Sequence, residues 1–200
     1  MAVLRFAPKD GRCLRVMVKH RSLQGQLLAA HPKRSNLYLS RAVVLVVEHS
    51  VLGAWGLQIN FQHSRVENLG QILENQGLVS GLDVPVYFGG QYHHNRCFIL
   101  HSSDWSCETT MKVTEDLYIS ADMYILSALA EGDGPKLIRP IVGLHQWRRG
   151  ELDMEIRDDL DHGWLQCDGT VSMVFDLEGD DQWQQVLDHA TRNRVNELWS

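Results

Sequence analysis

The segment Ala42-Val-Val-Leu-Val-Val47, closed by Glu48 and His49, has no polar face to offer water. A β-branched run of this length, bounded by polar residues, reads as a strand over Ala42–Glu48 that is covered on both faces and so lies centrally in its sheet. It is too short to cross a bilayer, which takes about 20 apolar residues. Covering such a strand twice requires a layer on each side, and 200 residues with 44% apolar content can build both within one domain.

The rest of the chain supplies the layers. Further strands are expected at Gly25–Ala30, at Leu57–Phe61 after a turn over Gly53-Ala-Trp-Gly56, and at Val84–Phe88, Cys97–His101, Leu117–Ser120, Leu137–Leu144, Trp164–Cys167 and Val171–Phe175. Leu69–Asn75 reads as a helix stopped by Gly77. Asp122 caps a second, with Met123, Leu126, Leu129 and Ala130 inward and Gly132-Asp-Gly-Pro135 at its end. Gly150–Asp161 and Asp180–Leu198 give two more, the first facing inward through Leu152, Ile156 and Leu160, the second through Trp183, Val186, Leu187 and Ala190. Mixed strand and helix order argues for an α/β or α+β fold.

Charge divides the chain. Residues 1–34 hold eight Lys/Arg and one acidic residue, and the remainder holds eleven against twenty-four, giving +7 and −13. Residues 1–22 therefore read as a basic arm, with a short strand around Leu14, Val16 and Val18, ahead of one domain over 23–200. The arm is expected to pack on that domain or on a partner, with Arg12, Arg15 and Lys19 as contacts; phosphate contact with nucleic acid is its other use. No segment has the build of a signal peptide or membrane span, so a cytoplasmic protein without membrane contact is expected. Cys13, Cys97, Cys107 and Cys167 form no CxxC pair and are expected as reduced thiols.

The signatures of phosphate cradles, dinucleotide folds, serine hydrolases and zincins are missing, and no cofactor is expected. Gly132-x-Gly134-x-Lys136 follows a helix and reads as its cap. His93, His94, Cys97 and His101 carry metal-ligating side chains, but Cys97 and His101 would stand roughly 13 Å apart on one strand, so no metal site is assigned. The acidic run Asp153, Glu155, Asp158, Asp159 and Asp161 reads as a solvated helix face. Trp55, Trp147, Trp164 and Trp183 sit in core-like contexts, whereas Trp105 and Trp199 are candidate partner contacts. Glu48, His49, Asn60, Gly89, Gly90, His101 and Asp104 each fall at a strand end or the turn beside it. They are expected to converge at one end of the sheet as a ligand or partner site.

The order of segments resembles the YqgE/AlgH family: Gly25-Gln-Leu-Leu-Ala-Ala-His-Pro32, Arg41-Ala-Val-Val-Leu-Val-Val-Glu-His49, Gly53-Ala-Trp-Gly-Leu-Gln-Ile-Asn60, Pro85-Val-Tyr-Phe-Gly-Gly90, Phe98-Ile-Leu-His-Ser-Ser-Asp104 and Ala128-Leu-Ala-Glu-Gly-Asp-Gly-Pro135. Trp147, Gly150-Glu-Leu152, Trp164-Leu165 and Phe175-Asp176 continue it, over roughly residues 23–189. The resemblance implies an α/β fold around a mixed, partly barrel-like sheet flanked by helices, in a family labelled as transcriptional regulators without a defined molecular activity. His31, Phe61, Gln91 and Leu144-His-Gln-Trp-Arg-Arg149 depart from the family pattern. Nothing resembles a helix-turn-helix, and an acidic body repels phosphate. The leading expectation is a non-enzymatic regulatory or partner-binding protein that acts on protein. The rivals are a hydrolase or nuclease using Glu48, His49, His101 and Asp104, and a thiol redox sensor.

Overall fold

The computed structural model describes residues 2–5, 15–18, 21–34, 36, 38–66, 68–79, 81–157 and 163–198. Arg12, Cys13, Lys19, Asp158, Asp159, Leu160, Asp161 and Trp199 lie outside the described residues, and of Arg15 only the backbone is described. β1 (Ala2–Arg5) pairs antiparallel with β2 (Arg15–Val18), which contains Val16 and Val18 of the short strand expected there, and Leu14 lies outside the described residues.

Among the described residues nine further strands form one sheet. They are β3 (Gln26–Ala30), β4 (Val43–Ser50), β5 (Gly53–Gln58), β6 (Tyr87–Phe88), β7 (Tyr92–Ser102), β8 (Met111–Lys112), β9 (Leu117–Ser120), β10 (Ile138–Arg148) and β11 (Trp164–Asp168). The order is β11-β3-β4-β5-β10-β7-β9-β8 with antiparallel neighbours, and β6 joins β10 in parallel, so the sheet is mixed. Gln24 Nε2, just ahead of β3, donates to the carbonyls of Lys112 at 3.2 Å and Val113 at 3.3 Å beside β8. Elements from opposite sides of the strand order thus meet, and the sheet curls into a half-barrel.

Strand β4 is central and covered twice, as its composition requires. Val43, Leu45 and Val47 join the cluster that lines the inside of the curl, with Leu27, Leu57, Ile59, Leu100 and Ile119. Ala42, Val44 and Val46 join the outer cluster with Trp147 and Trp164. The inner cluster is closed by α4 (Val171–Phe175) and α5 (Gly179–Leu198), through Val174, Trp183, Val186 and Ala190. The outer one is covered by α3 (Glu151–Arg157), through Leu152. A third cluster seats α1 (Leu69–Asn75) and α2 (Met123–Glu131) on Ile99 of β7. Each fully buried aliphatic side chain contributes roughly 1.5–3 kcal/mol, so both faces of β4 hold the sheet.

Several expectations need correction. Gly53-Ala-Trp-Gly56 is part of β5 and not a turn, because the chain reverses at Val51-Leu52. Gly56 is there for space: a Cβ would sit 2.6 Å from the Leu45 carbonyl. Val171–Phe175 is a helix, started by Thr170, whose hydroxyl accepts from the Met173 amide at 3.3 Å. A five-residue apolar run fits either element, and the cap decides. Val84–Phe88 forms a strand only at Tyr87–Phe88, whereas β7 and β10 extend well beyond the expected segments. On α2 the buried residues are Ile125 and Leu129, and Met123 is exposed.

At the closed end of the curl, Arg139 of β10 is only 3% exposed. Its guanidinium donates to the carbonyls of Ile59, Phe175 (3.4 Å) and Leu177 (2.8 Å) and to Gln182 Oε1 (3.3 Å). It also lies 4.2 Å from the ring centroid of Tyr87, whose hydroxyl donates to Glu178 at 2.9 Å. Arg139→Met keeps much of the volume but strands these acceptors, and it is expected to cost roughly 3–5 kcal/mol. The urea unfolding midpoint measures this, and an unchanged midpoint would refute it.

His145 of β10 is buried, with Nε2 3.2 Å from Gln58 Oε1. Burial first, and then the charge of Arg34, push its pKa down to about 4. The unfolded chain takes up that proton near pH 6.5, so this contribution is complete above pH 6.5 and is lost as pH falls toward 4, by roughly 3 kcal/mol. Unfolding free energies across that window should fall less steeply for His145→Gln than for the native chain. Parallel curves would count against the assignment.

Candidate functional site

Strands β4 and β10 end, and β5 and β7 begin, at the end of the curl opposite Arg139. There the inside of the half-barrel opens as a mouth of about 410 Å³. Its floor is apolar: Phe98, Ile119 and Leu144 are buried, and Trp55 packs on Phe98 with centroids 5.7 Å apart. Met111, 43% exposed, extends that floor toward solvent. The rim is polar, with Glu48, His93, Arg96, Thr109 and Gln146.

Two irregularities shape the rim. Val46 pairs with Gly56 and Glu48 with Trp55, so Val47 is left over in a bulge that sets Glu48 beside the indole. Trp55 Nε1 donates to Glu48 Oε2 at 3.3 Å. Across the mouth, Val142 faces Cys97 and Leu144 faces Tyr92, so His93–Arg96 oppose Gly143 alone. The excursion requires His93 in the left-handed region at φ 56° and Gly143 at φ 84°. Bulges at barrel rims re-aim side chains in this way, and a non-glycine residue at positive φ carries strain. Among the described residues no carboxylate lies within ion-pair distance of Arg96.

A hydroxyl and thiol cluster adjoins the mouth through Thr109. Cys107 Sγ lies 3.2 Å from Thr109 Oγ1 and 3.4 Å from Thr110 Oγ1, and the Thr109 hydroxyl donates to Asp122. Thr110 Oγ1 is 2.8 Å from Ser120 Oγ, which is 3.1 Å from His101 Nε2. His101 Nδ1 is 2.8 Å from the Ser102 carbonyl, which can only accept, so Nδ1 carries the proton and Nε2 accepts from Ser120. Burial lowers the His101 pKa, against the opposing pull of the Ser102 carbonyl and Asp104. At Cys107 burial pushes the thiol up, but the bonds from Thr109 and Thr110 outweigh it and the net shift is downward.

The seven residues expected to converge do not form one site. Glu48 is on the rim. Its neighbour His49 faces the outer cluster, where Nδ1 accepts from the Leu23 amide at 3.1 Å and Nε2 approaches Asp153 at 3.5 Å. Asn60 lies at the other end of β4, accepting from Val43 N at 2.9 Å and donating to the carbonyls of Arg41 (2.8 Å) and Gly179 (3.1 Å). His101 is near that closed end, and Asp104 accepts there from the Ser102 hydroxyl and, at 3.3 Å, from Lys136 N. The Ser102 bond is also the main reason the Asp104 pKa is lowered. Gly89 and Gly90 are packing positions: a Cβ on either would fall on the backbone of Gly143 or Leu144. Trp105 is half-buried, edge-on to His101 at 5.7 Å.

Among the described residues no three His, Cys, Asp or Glu side chains gather as a metal site, and no helix is long and apolar enough to cross a membrane. His94 stacks on Phe88 at 6.3 Å. Sequence reasoning did not find Arg96, Met111, Gln146 or the Cys107 cluster. The polar run His93-His-Asn-Arg96 and the hydroxyls around Cys107 were the available signals.

The profile of the AlgH-like family matches residues 27–194. A UPF0301 protein of Methylococcus capsulatus is 35% identical over 174 residues, covering 86% of this chain and 93% of its own. One from Rhizobium leguminosarum is 30% identical over 171 residues, covering 82% and 84%. The solution structure of the AlgH protein from Pseudomonas aeruginosa superposes with a TM-score of 0.70 at 26% identity, over 86% of this chain and 92% of that one. A crystal structure of a Corynebacterium diphtheriae protein shares the fold at 16% identity, with a TM-score of 0.65 over 84% and 86%.

The thiols separate by environment. Burial pushes Cys97 up to about 12 and Cys167 up to about 11, whereas Cys107 is lowered. Iodoacetamide at mildly alkaline pH is expected to alkylate Cys107 at least roughly tenfold faster than the other two in the folded chain. Peptide mapping reads the rates, and equal rates at all three would remove the argument for Cys107.

Proposed function

This chain belongs to the AlgH-like family, and we propose that it acts by binding a protein partner in the mouth of its half-barrel, in a regulatory and non-enzymatic role. The observation that carries this reading is the mouth itself, an apolar floor of Trp55, Phe98, Met111 and Leu144 ringed by separated polar groups. A concave apolar surface with a few convergent polar groups is the usual form of a recognition site. Aromatic residues, Met and Arg are the types enriched where protein surfaces meet.

The groups that an acid–base mechanism would use have other work. His49, Asn60 and His101 are buried and bonded to backbone or to neighbouring side chains. Glu48 and His49 stand at one end of the curl, with His101 and Asp104 toward the other, which weakens the hydrolase alternative. The basic arm remains a route to nucleic acid, through phosphate neutralisation that high salt would remove.

Photo-crosslinking in the native host tests the reading. A benzophenone amino acid at Met111 is expected to trap a discrete protein adduct that the same group at exposed Glu74 of α1 does not, and Trp55→Ala should abolish it. Identical adducts from both positions, or none from Met111, would overturn the proposal.

A further inference from the structure

We infer that the mouth captures the C-terminal end of a partner polypeptide, with an apolar last side chain on the floor and the terminal carboxylate at Arg96. This rests on reading the mouth as a partner site, and it names which part of the partner enters. Three features together select this occupant.

The first is charge. Arg96 is exposed on the excursion from β7 and, among the described residues, meets no carboxylate, so its guanidinium can offer two parallel donors to a carboxylate. His93, whose backbone is left-handed, and Arg96 both line the mouth. Capture of a chain-terminal carboxylate is a recurring way in which proteins recognise peptides.

The second is the opposite wall. Glu48 lies on the rim with one carboxylate oxygen occupied by the Trp55 indole. A plain fatty acid would set hydrocarbon against this charge and offer it no donor. A peptide presents backbone N–H groups a few ångströms behind its terminus, and these suit Glu48 and the side-chain carbonyl of Gln146. The third is size: about 410 Å³ accommodates one large apolar side chain with its flanking backbone, and not a folded element.

The test uses the full chain and a fluorescein-labelled peptide, Gly-Ser-Ala-Ala-Leu-Phe, prepared as the free acid and as the C-terminal amide. Fluorescence polarisation is expected to show saturable binding of the acid and at least tenfold weaker binding of the amide. Arg96→Ala should erase the difference by weakening the acid alone, Arg96→Lys should keep part of it, and Arg65→Ala should change nothing. Arg96 is exposed, so its replacement leaves the fold intact, and circular dichroism checks this. Octanoate should compete poorly. If acid and amide bind equally, if neither binds, if Arg96→Ala leaves the acid unaffected, or if octanoate competes as well as the peptide, the inference falls. The crosslinking at Met111 then decides separately whether the mouth is a partner site at all.

Discussion

The buried guanidinium of Arg139 is the interaction on which the rest of the architecture depends. A half-barrel of this curvature has two open ends, and an apolar interior exposed at both would not stay in water. Arg139 reaches from β10 to Ile59, just past β5, and to the end of α4 and the link that follows it, so one cation fixes three segments that local sequence cannot bring together. Asn60 adds the fourth: it bonds Arg41 ahead of β4, Val43 at the first residue of β4, and the Gly179 backbone at the start of α5. With α5 held, Trp183 can donate to the Ala30 carbonyl at 2.9 Å and fill the inner core. A buried cation is tolerated when its donors are matched, and carbonyl oxygens and the face of Tyr87 match these. Closure of this end leaves the inside of the curl open at the opposite end, where the apolar floor of the mouth meets solvent.

Glycines and bulges then determine what that open end displays. Gly89 and Gly90 let β6 and its following turn lie directly on Gly143, a contact that any side chain would block. Close backbone approach there coincides with the register change in β10, and two of the surplus residues of β7, His93 and Arg96, line the mouth. The bulge at Val47 acts likewise on the facing wall, moving Glu48 out of the alternation that buries Val43, Leu45 and Val47 on one face and Ala42, Val44 and Val46 on the other. Packing constraints and the display of polar groups are therefore one event in this fold.

Much of the frame was legible from sequence because it rests on periodicities with a short reach. The apolar run of β4 announced a doubly covered strand, Asp122 and Gly132 bracketed α2, and the spacing of Trp183, Val186 and Ala190 gave the inner face of α5. Errors arose where two elements share a pattern, as at Val171–Phe175, where five apolar residues fit a strand or a capped turn of helix. They arose also where glycine serves contact instead of reversal, as at Gly56. The candidate site was hardly legible. Glu48 was found because it ends a strand, but Arg96 and Met111 reach the mouth only through register shifts and curvature, which depend on residues about fifty positions away in β10 and β5.

This explains why the polar residues most conspicuous in the sequence proved to be structural. Histidine, asparagine and aspartate at strand ends attract notice as chemistry, yet a strand end is where backbone groups lose their ladder partners and need side chains to replace them. Asn60 replaces them for Val43 and Gly179, His49 for Leu23, and Asp104 for Lys136. A group so engaged can recognise a ligand only by breaking a bond that holds the fold. Among the described residues Arg96 and the outer oxygen of Glu48 have no such duty, and they stand on opposite sides of the apolar floor of the mouth. In a curled sheet of this kind, unspent hydrogen-bonding capacity beside apolar surface is thus a better guide to function than residue type at a strand end.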